Sequence, residues 1–169
     1  MSRSLRRWAR ATMPLAATAV ASVLALPTAT AATPAETATT AVTCYDNPCI
    51  TGIRAATHTN YDRLVFDLTA GTLVTDTYTN LSGEFIPMDG DIHYLKVKGT
   101  SYLFLKMDPA HLASELELSK AFNLPTIKGV QLTSFHAAKA QFGLSLGPST
   151  RYNVFRLTQP DRIVVDVYR

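Results

Sequence analysis

Asp62-Arg63-Leu64-Val65-Phe66-Asp67-Leu68 and Asp161-Arg162-Ile163-Val164-Val165-Asp166-Val167 follow one pattern, Asp-Arg-apolar-Val-apolar-Asp-apolar, written twice in a small chain. In each copy one alternate set is wholly apolar, the period of an extended strand with a face in a core. Leu64, Phe66 and Leu68, with Ile163, Val165 and Val167, are expected inward. Arg63, Val65 and Asp67, with Arg162, Val164 and Asp166, then share the other face. On one strand Arg63 and Asp67 stand about 13 Å apart, too far to touch. Their partners must come from another strand. Laid antiparallel and side by side, the two copies would put Arg63 opposite Asp166, Val65 opposite Val164 and Asp67 opposite Arg162. That register gives a reciprocal pair of cross-strand ion pairs.

Working outward, the same period continues in Ile92 to Val97 after the Asp89-Gly90 turn, and in Tyr102 to Met107. With Gly99-Thr100 between them, these two runs are expected to form a hairpin. Ile127 to Phe135, Ala140 to Leu146, Tyr152 to Leu157 and Arg162 to Tyr168 follow at the spacing of a sandwich or barrel. The last two are joined by Thr158-Gln159-Pro160-Asp161, with proline preset at the bend. One segment departs from period two. Asp108 suits an N-cap and Pro109 a first helical position, while Leu112, Ala113 and Leu116 fall on one helical face, so a short helix is predicted before Asn123. The expected fold class is therefore mainly all-β, with one short helix.

The N-terminus has a different character. Arg3, Arg6, Arg7 and Arg10 precede an apolar run from Met13 to Leu26, and Ala29-Thr30-Ala31 ends it as an A-x-A site. Residues 1–31 read as a signal peptide, with Arg6-Arg7 admitting a twin-arginine route beside the general secretory one. The expected location is secreted, extracellular or wall-associated, with no transmembrane segment once the leader is removed. Four of the 16 basic residues and none of the 13 acidic ones lie in that leader, so the chain from Ala32 is close to neutral with one net negative charge. Its basic residues are scattered singly, which excludes a nucleic-acid partner of the usual basic-face kind. Residues 32–43, rich in Ala, Thr, Pro and Glu, read as a flexible tether. Residues 44–169 then make one domain of ordinary size. It opens on Cys44 and Cys49, which suit a short turn closed by a disulfide adding about 2 kcal/mol. A metal site would need two further ligands nearby, and a redox pair more often takes the C-x-x-C spacing.

Two readings of the charged face stand side by side. The plain one is that these arginines and aspartates solvate the outside of two strands, where exposed pairs contribute about 0–1 kcal/mol. The functional one joins Arg63, Asp67, Arg162 and Asp166 to His58, Tyr61 and Tyr168 as a polar platform on a rigid sheet, suited to a glycan or a peptide.

Gly52-Ile53-Arg54-Ala55-Ala56-Thr57-His58, the Asp62 to Asp67 run, and the ending from Phe155 to Val167 together resemble the AMIN-like domain of secreted actinobacterial proteins. That group is similar to the AMIN domain of cell-wall amidases and secretin assemblies. The resemblance runs from about Thr51 to Arg169. It implies a β-sandwich of two related halves and a non-catalytic module, which in the amidases targets the enzyme to the envelope by binding peptidoglycan. Carried over by motif, it implies binding roles for Asp62, Arg63 and Asp67 and for Asp161, Arg162 and Asp166. No amidase domain follows within this chain, so a solitary module is expected.

Catalytic readings are weaker. Gly143-Leu144-Ser145-Leu146-Gly147 fits the G-x-S-x-G pattern, but a nucleophile elbow needs a helix next, and Pro148-Ser149-Thr150 leads to another strand. The last histidine, His136, also precedes the serine. His58, His93, His111 and His136 are widely spread, without a metal-binding spacing. The expectation is a secreted, non-enzymatic module without cofactor or metal, contacting wall glycan through the duplicated motif. An interaction module for an exported protein partner is the alternative, and a small secreted hydrolase the third.

Overall fold

A computed structural model describes residues 43–149 and 151–169. The predicted signal peptide, and all of the tether except Thr43, lie outside the described residues. Twelve strands and no helix make up the rest: β1 (Cys49–Thr57), β2 (Tyr61–Leu68), β3 (Leu73–Asn80), β4 (Glu84–Phe85), β5 (His93–Tyr94), β6 (Ser101–Asp108), β7 (His111–Leu112), β8 (Ser119–Ala121), β9 (Ile127–His136), β10 (Lys139–Leu146), β11 (Tyr152–Leu157) and β12 (Arg162–Tyr168). They form a five-stranded sheet in the order β11-β12-β2-β1-β7, a second in the order β3-β6-β10-β9-β8, and the small pair β4-β5. Among the described residues no helix is long and apolar enough to cross a membrane.

The two large sheets meet through their inner faces. Leu64, Phe66, Ile163 and Val165 of the first join Leu103, Leu105, Phe142 and Leu144 of the second in one buried cluster. The rings of Phe66 and Phe142 meet at its centre, 4.9 Å between centroids and tilted by 55°. Burying a side chain of this size contributes about 1.5–3 kcal/mol, so the inner faces supply most of the drive to pair the sheets. At the domain's entry the predicted disulfide is present between Cys44 and Cys49.

β6 is buried on both sides. Leu103, Leu105 and Met107 face the other sheet, while Tyr102 and Phe104 face outward under a flap formed by residues 81–99, packing with Phe85 and Leu95. Gly143 on neighbouring β10 makes room for this flap, since a Cβ there would lie 2.8 Å from Leu95 Cδ2 and 2.9 Å from Phe104 Cε1. Gly143→Val is accordingly expected to destabilise by about 1–3 kcal/mol through overpacking. Hydrogen exchange should show faster exchange at the Leu95 amide, which donates to Gly83 O in the native flap. Unchanged protection there would mean that the flap tolerates the added methyls.

Two expectations are corrected. The segment after Asp108 is not helical, because its backbone amides find partners outside it: Ala110 N donates to Ala138 O, His111 N to Pro48 O and Ala113 N to Ile50 O. β7 thereby extends the first sheet beside β1 in parallel. Nor do the runs 92–97 and 102–107 pair as a hairpin. β6 lies between β3 and β10, while β5 pairs with β4 and Lys96 N donates to the Gln131 side chain.

The duplicated heptapeptides occupy β2 and β12, which pair antiparallel at the centre of the first sheet in the expected register. Arg63 opposes Asp166, Val65 opposes Val164 and Asp67 opposes Arg162. Each copy is also the second strand of a hairpin, β1-β2 or β11-β12. A local two-fold between Val65 and Val164 therefore relates the two hairpins within one sheet.

Candidate functional site

Strand parity places the outward residues of four adjacent strands in a grid. Across β1, β2, β12 and β11 one row reads Ala56, Arg63, Asp166, Asn153, the next Arg54, Val65, Val164, Phe155, and the third Gly52, Asp67, Arg162, Leu157. A further row holds His58, Tyr61 and Tyr168, the last bonded through its amide to Arg151 O. His58, Tyr61, Arg63, Asp67, Arg162, Asp166 and Tyr168 are thus brought to one face of one sheet.

The aromatic row is layered. His58 stacks on Tyr61 with centroids 4.5 Å apart, and Tyr61 meets Tyr168 at 5.8 Å. The Arg63 guanidinium lies between the rings of Tyr61 and Phe155, at 5.2 and 5.6 Å, and Arg151 covers Tyr168 at 5.0 Å. Each such contact adds about 0.5–1 kcal/mol on a surface, and together they hold these groups in a fixed order. Below this row Arg63 grips Asp166 with two bonds, Nε to Oδ1 at 2.7 Å and Nη2 to Oδ2 at 2.8 Å. The bond to Asp166 raises the Arg63 pKa above its ordinary value although burial opposes it. The guanidinium roofs the sheet, and Asp166 and Val164 are buried despite facing outward.

The second of the expected ion pairs does not form. Asp67 opposes Arg162, but its carboxylate is bonded by Arg54 from the neighbouring strand, Nε to Oδ2 at 2.8 Å and Nη2 to Oδ1 at 2.9 Å. This bond raises the pKa of Arg54, again against burial. In the β11-β12 hairpin the position related to Arg54 by the local two-fold is Phe155, so the two halves of the face resolve their charges differently. Among the described residues the Arg162 side chain is left with a single bond, from Nε to Pro160 O at 3.3 Å. Between these groups runs a shallow groove of about 420 Å³, floored by Val65 and Val164 and walled by Arg54, His58, Arg63 and Arg162.

The two leading aspartates of the motif lie elsewhere. Asp62 shares the inward parity of Leu64 and is wholly buried at the sheet's end, bonded by Thr57, Thr126, Ile127 and Arg169. Asp161 sits at the opposite end, paired with Arg156, while its carbonyl accepts the Leu68 amide. Neither lines the groove. Conversely Arg54, Phe155 and Arg151 belong to the face and were not singled out as binding residues from the sequence.

Other features of chemical interest are internally satisfied. Ser145 of the G-x-S-x-G match is buried in β10 and donates to Val97 O at 2.6 Å. His93 contacts Asp89 and His111 contacts Asp46, on different elements. A larger depression of about 480 Å³ on the second sheet, bordered by Lys106, Asp108, His136 and Lys139, has Lys106 paired with Asp76 and Lys139 with Asp108. Among the described residues no three metal-ligating side chains come together.

Comparison with known proteins gives one positive finding. The family model described as AMIN-like domain matches residues 48–169, from the strand that opens the first sheet to the end of the chain. No curated protein matches the chain.

Proposed function

Because the chain belongs to the AMIN-like domain family over residues 48–169, we propose that it is a non-enzymatic envelope module that binds peptidoglycan, or a closely related wall glycan, through the outer face of β1, β2, β12 and β11. The observation that carries this reading is the meeting of the arginine, the valine and the second aspartate of both motif copies on one face, beside the ordered His58, Tyr61 and Tyr168 row. The ring row gives apolar surface to a sugar, and Arg162, which has no carboxylate partner among the described residues, presents donors to its oxygens. Both are held on paired strands, which fix positions more closely than loops do. A role outside the cytoplasm agrees with the Cys44–Cys49 disulfide and with the predicted leader.

Co-sedimentation of residues 32–169 with purified peptidoglycan sacculi tests this. Saturable pelleting is expected, reduced at least tenfold in the Tyr61→Ala/Arg162→Ala variant. Both side chains are only partly exposed yet lie outside the Arg63–Asp166 pair, so the variant should remain folded by circular dichroism. Absence of pelleting by the unaltered chain would reject the reading.

A protein partner is the second reading, favoured by a different observation. The flap exposes Leu81, Ile86, Met88, Ile92 and Tyr94 within one short excursion, remote in sequence from the duplicated motif. Exposed apolar groups gathered in this way mark interaction surfaces. Binding that survives Tyr61→Ala/Arg162→Ala but fails on replacing Ile86 and Ile92 with serine would favour it.

A further inference from the structure

The asymmetry between Arg63 and Arg162 points to the chemistry of the ligand. The local two-fold makes them equivalent in backbone, each opposite an aspartate of the other copy. Arg63 has its aspartate, bidentate at 2.7 and 2.8 Å. Arg162 does not, because Arg54 occupies both oxygens of Asp67. Among the described residues no carboxylate pairs with Arg162, and neither of its Nη groups has a hydrogen-bond partner. Guanidinium carries five donors in a planar fork whose spacing matches the two oxygens of a carboxylate.

We propose that the groove selects ligands bearing a free carboxylate, and that Arg162 holds that carboxylate through its two unpartnered Nη groups, a two-bond grip like the one that Arg63 makes on Asp166 through Nε and Nη2. The inference rests on the wall-binding reading and narrows it: in a wall polymer the group recognised is a carboxylate of the peptide side chains rather than the neutral sugar alone. Two further features agree. The face carries Arg54, Arg63, Arg151 and Arg162 against Asp67 and Asp166, an excess of positive charge on a domain otherwise slightly acidic. Val65 and Val164 also form an apolar floor between Arg54 and Arg162, lowering the local polarizability and strengthening a charge-assisted bond made above it.

The test compares native sacculi with sacculi whose carboxyl groups have been converted to amides. The unaltered chain should bind the amidated material about 10- to 100-fold more weakly. Arg162→Gln should show a loss of similar size on native sacculi and become indifferent to amidation, while Arg162→Lys recovers only part of the affinity. Equal binding to both preparations by the unaltered chain would overturn the carboxylate inference and leave wall binding intact. If neither preparation binds, the wall reading fails, and the inference is then decided separately by NMR. Titration with N-acetyl-alanyl-alanine should move the Arg162 Nε–Hε resonance, whereas its C-terminal amide should not. The same response to both peptides, or none, would overturn it.

Discussion

Asp62→Asn is expected to lower the unfolding free energy by about 3–5 kcal/mol, although the change is isosteric and far from the groove. Asp62 is wholly buried. One carboxylate oxygen accepts from Thr57 Oγ1 and Arg169 Nη2, and the other from the Thr126 amide, Thr126 Oγ1 and the Ile127 amide. Each of these groups donates to the carboxylate, and the Arg169 guanidinium and the Thr126 and Ile127 amides can only donate. An asparagine would keep one acceptor and turn an NH2 against donors, leaving buried groups without partners. Asp62 also ties three places together: the β1-β2 turn, the start of β9 and the end of β12. Burial alone would raise its pKa, but the hydrogen bonds from Thr57, Thr126 and Ile127 outweigh burial and hold it below the ordinary 3.8. A depressed folded value means that the contribution is complete above the unfolded pKa and is lost as pH falls through the folded one. The acid limb of stability below about pH 4 should therefore be steep in the native chain and flatter in Asp62→Asn. Urea unfolding at pH 7 and at a series of lower pH values measures both effects. An unchanged midpoint at pH 7 would show that the carboxylate is not an anchor.

Phe66→Ala is expected to cost as much, about 3–5 kcal/mol, by a different route. Its side chain is fully buried on the central strand of the first sheet, and its ring meets Phe142 from the second at 4.9 Å. Removing it takes away both the transferred apolar surface and the contacts lining the space it filled. The sheets are fixed by their own ladders, so the space should close only partly. Chemical denaturation should show a lower midpoint with little change in slope. Phe66→Leu, which keeps most of the volume, should recover much of the loss; a cost below about 1 kcal/mol for alanine would mean that the sandwich repacks freely at its centre.

The register at the centre of the first sheet was legible because two rules agree on it. Period two assigned the faces, and opposite charges at mirrored positions aligned the copies. The same parity places Asp62 with Leu64, Phe66 and Leu68 on the inner side, yet an aspartate at a strand's start reads as solvated, and the donors that bury it include Thr126, 64 residues away. Nothing local announces them. Arg54 was hidden for another reason: β1 carries a bulge between Ile50 and Gly52, which interrupts alternation and conceals the strand. β3, with polar residues on both faces of an edge position, likewise lacks the apolar stripe by which strands are read. The segment after Asp108 carries local helix signals that lose to amide partners supplied by β1 and its approach. Local preference is worth tenths of a kcal/mol per residue, and a completed sheet edge outweighs it.

Because β2 lies beside β12, the grooved face exists only once the last strand is in place. Arg63 and Asp166 are 103 positions apart, yet they meet at the centre of the first sheet. The four longest strands of the second sheet are all available once Leu146 has been synthesised. The first sheet lacks its central partner until the chain reaches Val167. Contacts so distant in sequence carry a high loop-closure cost and form slowly. The grooved face is therefore expected to be the last part of the domain to assemble, and a chain ending before Arg162 would carry every strand of the second sheet but lack the β12 side of the groove.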